Sequence, residues 1–266
     1  MLRQLTVLVC AIGSSACGAA TTTFEPLPPG GHHVLFIGNS LTAVNDLPAT
    51  LAAIATSAGD TIYVAASAGP NLALIDHANG GSNARAQIAR GGWEYVILQQ
   101  GPTPAGVCRD TLVLAAKMLD RDIRRVGATP ALLMSWTDRS NQRWFEDVRI
   151  SFQAAAAAVD GVFFPAGEAW RSAWRADASL SLYGSDGYHP SSLGTFLTAL
   201  EIYERVTGKD PRALPLKAFA NGLAFELDAA TIRALQTAAH DANSQFSAHS
   251  TVTTTPTPAA GVAGTC

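Results

Sequence analysis

Short apolar runs recur along the chain at intervals that leave room for a helix between one and the next. Residues 33–37 form such a run and end in Gly38, the pattern of a buried parallel strand that feeds a tight loop. Similar β-branched or aromatic runs at 61–66, 95–98, 131–135 and 161–164 predict four further strands. Between the runs the period changes. Asp46 precedes Leu47-Pro48, a capping carboxylate followed by a proline that a first turn tolerates, and Leu51, Ile54 and Ala55 continue at helical spacing to Gly59. Helices are also predicted over 110–127, over 145–159 with its five consecutive alanines, over 191–208 and over 228–246. Strands alternating with helices require right-handed crossovers and a parallel sheet covered on both faces, a three-layer α/β/α sandwich. In such sheets ligands bind beyond the carboxyl ends of the strands. The positions of interest are therefore 38–42, 67–72, 99–104, 136–139 and the segment around 186–189.

Composition fixes the frame around that domain. With 266 residues, 48% of them hydrophobic, the chain can bury one sizeable core, placed at 32–246. A net charge of −3 and the lack of any Lys/Arg run argue against nucleic acid as a partner. Residues 1–20 read as an export signal: Arg3 supplies the positive start, 5–12 an apolar stretch too short to span a bilayer, and 13–20 small residues suited to cleavage. Cys17, in Ser14-Ser15-Ala16-Cys17-Gly18, resembles the lipid-modified cysteine of a bacterial lipoprotein; the alternative is ordinary cleavage near Ala20. The protein is thus expected to be exported, as a secreted, periplasmic or outer-surface protein, and to meet a membrane only through such an anchor. Residues 21–31 are a Pro- and Gly-rich linker, and 247–266 a low-complexity tail. In an oxidising compartment Cys108 and Cys266 either form a bridge or remain two free thiols, and no two cysteines stand at metal-ligand spacing.

Two short motifs carry chemistry. Gly38-Asn39-Ser40-Leu41-Thr42 follows the first strand directly and presents a hydroxyl at the crevice; taken alone, it is equally a turn in which Ser40 caps a helix. Asp186-Gly187-Tyr188-His189-Pro190 places a carboxylate three residues before an imidazole. That spacing lets Asp186 accept from one ring nitrogen of His189 and leaves the other nitrogen for the Ser40 proton; metal ligation or a simple loop before a helix are the competing readings. His77, beside Asp76, is a rival base, a substrate contact near the site, or a histidine on a polar surface loop, the last favoured. His32 and His33 read as linker residues.

The two motifs together resemble the first and last blocks of the SGNH hydrolases, a branch of the GDSL esterases and lipases, over about residues 32–208. The resemblance implies a flavodoxin-like parallel five-stranded sheet and ester hydrolysis by a triad of Ser40, Asp186 and His189, with no metal or organic cofactor. It also implies an oxyanion hole made by the amides of Ser40 and Gly69 and by a side-chain amide after the third strand. The family usually has Asn there; this chain has Leu98-Gln99-Gln100-Gly101-Pro102, which makes Gln100 the expected donor and Gln99 the second choice. The Gln-Gly pair resembles carbohydrate-esterase relatives, which points to deacetylation of an O-acetylated glycan. A short-chain ester or lipid hydrolase, an acyltransferase, and a catalytically silent glycan-binding envelope lipoprotein are the alternatives. Trp136, Trp170 and Trp174 are candidates to line a sugar cleft, with packing as the competing role, and Asn71 is a candidate substrate contact that also suits a turn.

Overall fold

The computed structural model describes residues 26–104, 106–246 and 248–249. The expected export signal, Cys17, Cys266 and the tail beyond 249 lie outside the described residues. Cys108 is disulfide-bonded.

In chain order the elements are β1 (His32–Gly38), α1 (Ser40–Ala43), α2 (Leu47–Ser57), β2 (Ile62–Ala68), α3 (Leu74–Ala78), α4 (Ala84–Ala89), β3 (Tyr95–Gln99), α5 (Val107–Arg125), β4 (Thr129–Leu133), α6 (Phe145–Ala158), β5 (Val162–Phe164), α7 (Ala166–Ala176), α8 (Ser192–Thr207), β6 (Ala218–Ala220), β7 (Leu223–Phe225) and α9 (Ala229–Gln245). The five long-range strands pair in the order β2-β1-β3-β4-β5, all parallel, while β6 and β7 form a separate antiparallel hairpin. Helices α2, α7 and α8 cover one face, with α9 against α7 and α8; α3 to α6 cover the other. The expected three-layer sandwich is what forms.

The strand order reverses between β1 and β3: β2 lies on one side of β1, and β3 and all later strands lie on the other. A crevice opens at such a switch point because the loops leaving the two central strands turn to opposite faces. The loop at that point begins at Gly38. Residues 34–37 of β1 are fully buried, so the run that predicted the strand also fixes the depth of the crevice floor.

Several boundaries differ from the sequence pattern. His32 and His33 are strand residues, not linker, because they pair with Ile62 and Tyr63 of β2; His33 also stacks on Tyr63 with ring centroids 5.0 Å apart. Strand β4 ends at Leu133, short of the predicted 135, and Ser135 and Trp136 follow it as buried residues. Helix α7 has no counterpart in the apolar-run analysis, although its buried Trp170 stacks on Trp136 at 3.9 Å. The capped helices are where the caps predict them: Asp46 accepts from Ala49 N, Ser191 from Gly194 N and Asp228 from Thr231 N, and Gly208 closes α8 at φ 70°.

One buried charge stands apart from this apolar packing. Glu201 of α8 is fully buried, and neither carboxylate oxygen has a hydrogen-bond partner among the described residues; the Arg205 Nε lies 3.9 Å away. Burial pushes the Glu201 carboxyl up to about 8, with Arg205 opposing and Glu204 adding to the shift. A folded-state value raised above the unfolded one gives stability that is complete below the unfolded carboxylate range and is lost as the pH rises through about 8. Glu201→Gln is therefore expected to exceed the wild type at pH 8 by at least about 1 kcal/mol, a rise of about 2–4 °C in Tm. The two should converge in thermal melts below the unfolded carboxylate pKa; an equal difference at both pH values would overturn the assignment.

Candidate active site

Strand β1 delivers the chain to the crevice at Gly38, where a side chain does not fit. A Cβ there would lie 2.6 Å from both Gln99 Oε1 and Thr42 Oγ1. Asn39 then caps α1, its Oδ1 accepting from Leu41 N at 3.0 Å, and Ser40 becomes the first helical residue. At that position the Ser40 amide has no acceptor within its own helix and faces outward. The Ser40 hydroxyl lies 2.8 Å from His189 Nε2, and His189 Nδ1 lies 2.5 Å from Asp186 Oδ2. The structure thus joins Ser40, His189 and Asp186 in one hydrogen-bonded series.

The direction of that series follows from the carboxylate. Asp186 accepts through Oδ1 from the amides of Tyr188 and His189, both at 3.0 Å. These bonds, led by the one from the His189 ring, hold its carboxyl down to about 2. An ionised Asp186 can only accept, so His189 Nδ1 carries the proton and Nε2 is left to accept from Ser40.

The loop that presents His189 is held by its carbonyls. Gly187 O accepts from Arg139 N at 2.8 Å, Tyr188 O from Trp136 Nε1 at 2.9 Å, His189 O from Gly184 N at 2.7 Å and Pro190 O from Asn45 Nδ2 at 2.9 Å. Four consecutive carbonyls are each tied to a different point. Close packing completes the mount: a Cβ at Gly194 would lie 2.3 Å from Leu182 O and 2.5 Å from Trp170 Cζ2, and one at Gly101 would lie 2.9 Å from the Tyr188 hydroxyl.

Several expected site residues have other positions. Gln100 is buried with both ends of its carboxamide engaged, Oε1 accepting from Leu74 N and Nε2 donating to Thr103 Oγ1, each at 3.0 Å; it ties β3 to α3 rather than presenting a donor to the crevice. Gln99 Oε1 accepts from Asn39 N at 3.0 Å and Thr42 Oγ1 at 2.9 Å, so this glutamine supports the Ser40 turn from beneath, and its Nε2 is buried without a partner among the described residues. Trp170 is fully buried, donates to Thr198 Oγ1 and packs edge-on against Trp174, while Trp136 is 3% exposed and donates to the His189 loop. Trp136 and Trp170 are core and loop supports, not walls of a sugar cleft, since their faces stack on each other. Gly69 follows β2 in the crevice with only Leu72 near its Cβ position, and Asn71 is an exposed turn residue at φ 57°. His77 is fully buried on α3, not on a surface loop.

Asn45, Thr42 and Tyr188 are site residues that sequence reasoning passed over. Tyr188 meets the His189 ring edge-on at 5.1 Å, and burial raises its hydroxyl pKa. Its place inside the Asp-x-x-His motif was the available signal. Asn45 had none, since its partner Pro190 is 145 residues away.

No protein-family model matches the chain, and no curated protein matches it. Solved structures do. A DUF4886 family protein from Bacteroides uniformis superposes with a TM-score of 0.66 at 19% identity, over 79% of this chain and 94% of that one. A candidate SGNH hydrolase from Slackia heliotrinireducens gives a TM-score of 0.55 at 24% identity, over 66% and 98%. An acetyl xylan esterase from Geobacillus stearothermophilus gives 0.51 at 14% identity, over 66% and 95%. At these identities the likeness shows the fold, and the fold is that of the SGNH hydrolases.

The Trp136 bond to the His189 loop can be removed without disturbing the indole stack. Trp136→Phe keeps an aromatic face on Trp170 and deletes the donor to Tyr188 O. It is expected to cost about 1–3 kcal/mol of stability, read by chemical denaturation, because a half-buried carbonyl loses its partner. Unchanged stability would show that Tyr188 O is satisfied by other means.

Proposed function

We propose that the protein is a serine esterase whose substrate is an O-acetylated carbohydrate. The observation that carries this reading is the series Ser40 Oγ to His189 Nε2 at 2.8 Å and His189 Nδ1 to Asp186 Oδ2 at 2.5 Å, set at the switch point of the sheet. In the first step His189 takes the Ser40 proton while Oγ attacks the ester carbonyl, and the same proton passes to the departing alcohol. In the second step water, deprotonated by His189, attacks the acyl-enzyme and releases acetate and free Ser40. Asp186 holds the ring orientation and offsets the imidazolium charge at both stages. The amides of Ser40 and Gly69 are assigned as donors to the oxyanion; Gln100, buried and bonded through Oε1 to Leu74 and through one Nε2 proton to Thr103, is assigned to the support of the loop.

Two features support a short acyl group on a sugar. Next to Ser40 in the chain, Asn39 approaches Gly101 through its amide and the Tyr188 hydroxyl approaches the same glycine, a small and polar surface, whereas a long acyl chain needs an aliphatic channel. An acetyl xylan esterase is among the proteins that share the fold. Export, with or without lipid attachment at Cys17, would place the enzyme where extracellular glycans are met.

Purified protein is expected to release acetate from acetylated xylan and to hydrolyse p-nitrophenyl acetate faster than its longer-chain homologues. Ser40→Ala is expected to lower kcat by about 10⁴-fold or more. Activity that survives this substitution would remove Ser40 as nucleophile; a preference for long acyl chains would overturn the substrate class.

The pH profile has a defined sign. Protonated His189 cannot accept from Ser40, so kcat/KM should fall on acidification. Asp186, held down to about 2, stays ionised across that limb and adds no second one above about pH 3. A profile flat from mild acid to neutrality would count against a His-dependent step.

A further inference from the structure

His77 is fully buried and takes no part in the series of Ser40, His189 and Asp186. Its two ring nitrogens are both engaged: Nε2 lies 3.0 Å from Gly38 O and Nδ1 lies 2.6 Å from Ser82 Oγ. The proton positions are determined by the partners. A carbonyl oxygen can only accept, so Nε2 carries the hydrogen and donates to Gly38 O. Ser82 Oγ already accepts from Ala84 N at 3.1 Å and from Ser67 Oγ at 3.3 Å, which leaves its own proton to donate to His77 Nδ1. The imidazole is thus neutral and held in a single tautomer. Burial pushes its pKa below the usual histidine range; the bond to Gly38 and the charge of the neighbouring Asp76, whose carboxylate is turned to Ala73 N, oppose that shift without cancelling it.

The bond to Gly38 O matters because of what shares the same peptide unit. The carbonyl of Gly38 and the N–H of Asn39 belong to one planar amide. His77 Nε2 donates to the oxygen of this amide, and Gln99 Oε1 accepts from its N–H at 3.0 Å. The unit that enters the Ser40 turn is therefore clamped at both edges by buried side chains from two different elements, α3 and β3. Its tilt sets the extended geometry of Asn39, φ −114° and ψ −155°, and through it the direction of the Ser40 hydroxyl and amide.

We propose that His77 is a positioning residue for Ser40, an imidazole that fixes the Gly38–Asn39 peptide and neither transfers a proton nor touches substrate. The inference rests on the reading of Ser40 as nucleophile given above. Held in this way, Ser40 Oγ stays within reach of His189, and a displacement on the order of 1 Å at such a group can lower the rate about 10²-fold.

The test compares wild type, His77→Gln, His77→Leu and Ser82→Ala in ester hydrolysis and in the rate of Ser40 labelling by a fluorophosphonate, which forms a bond from Oγ to phosphorus and loses fluoride. Glutamine carries a donor and an acceptor at similar reach and does not titrate. His77→Gln is expected to retain kcat within about threefold of wild type and to give the same pH profile. His77→Leu, which offers no donor, is expected to lose kcat by about 10- to 100-fold at nearly constant KM and to be labelled slowly. Ser82→Ala frees the tautomer and should fall between the two. If His77→Leu does not fold, the glutamine and Ser82 variants carry the test. Wild-type labelling in His77→Leu, an altered acid limb in His77→Gln, or a wild-type kcat in Ser82→Ala would each overturn the positioning role. A wild type that neither hydrolyses esters nor labels at Ser40 would overturn the nucleophile reading, and the inference with it.

Discussion

Backbone carbonyls, more than side-chain contacts, hold the site together. The segment from Gly187 to Pro190 has no helix or strand to satisfy its oxygens, and a half-buried loop cannot leave them bare. Three are met by donors from elsewhere, a backbone amide after β4, an indole and an asparagine after α1, and the fourth by an amide within the loop. Since those donors come from segments as far apart in sequence as Asn45 and Arg139, satisfying the loop also ties it to both. The position of His189 relative to Ser40 is a by-product of that requirement.

The Ser40 side of the crevice obeys the same rule with different means. Gly38 sits where strand and helix meet, and its missing side chain is the space taken by Gln99 and Thr42. A larger residue would displace the groups that orient the turn, so the glycine is required by packing at a φ that any residue could adopt. The buried glutamines show how one chemical group serves two architectural ends: Gln99 supports the turn, while Gln100 reaches sideways to the start of α3.

Much of the fold was legible because its signals are local. A strand buried on both faces has a continuous apolar run, and a capped helix announces itself within four residues, as Asp46, Ser191 and Asp228 do. The spacing of Asp186 and His189 is equally local, and their hydrogen bond spans a single turn of chain. What escaped the sequence depends on distant pairing. His32 is a strand residue only because Ile62 lies beside it, Trp136 serves the His189 loop only because 52 residues of chain return to it, and Asn45 binds a carbonyl 145 residues later. The glutamines misled for a related reason: composition shows that an amide is present and says nothing of which way it points. His77 failed on burial, since a polar neighbourhood in sequence became an enclosed one in space.

The Asp186 side chain remains 49% exposed and that of His189 32% exposed. A carboxylate so wet is solvated by bulk water as well as by its three N–H donors, and mobile ions reach it freely. Coulombic support at that exposure is weak and screened by physiological salt, whereas the hydrogen bonds that direct the ring are short-ranged and are not. Orientation, more than field strength, is therefore what the hydrogen bonds of this acid supply. The pair sits at the rim, open to the solvent side, where even a bulky chain could reach it without having to be enclosed.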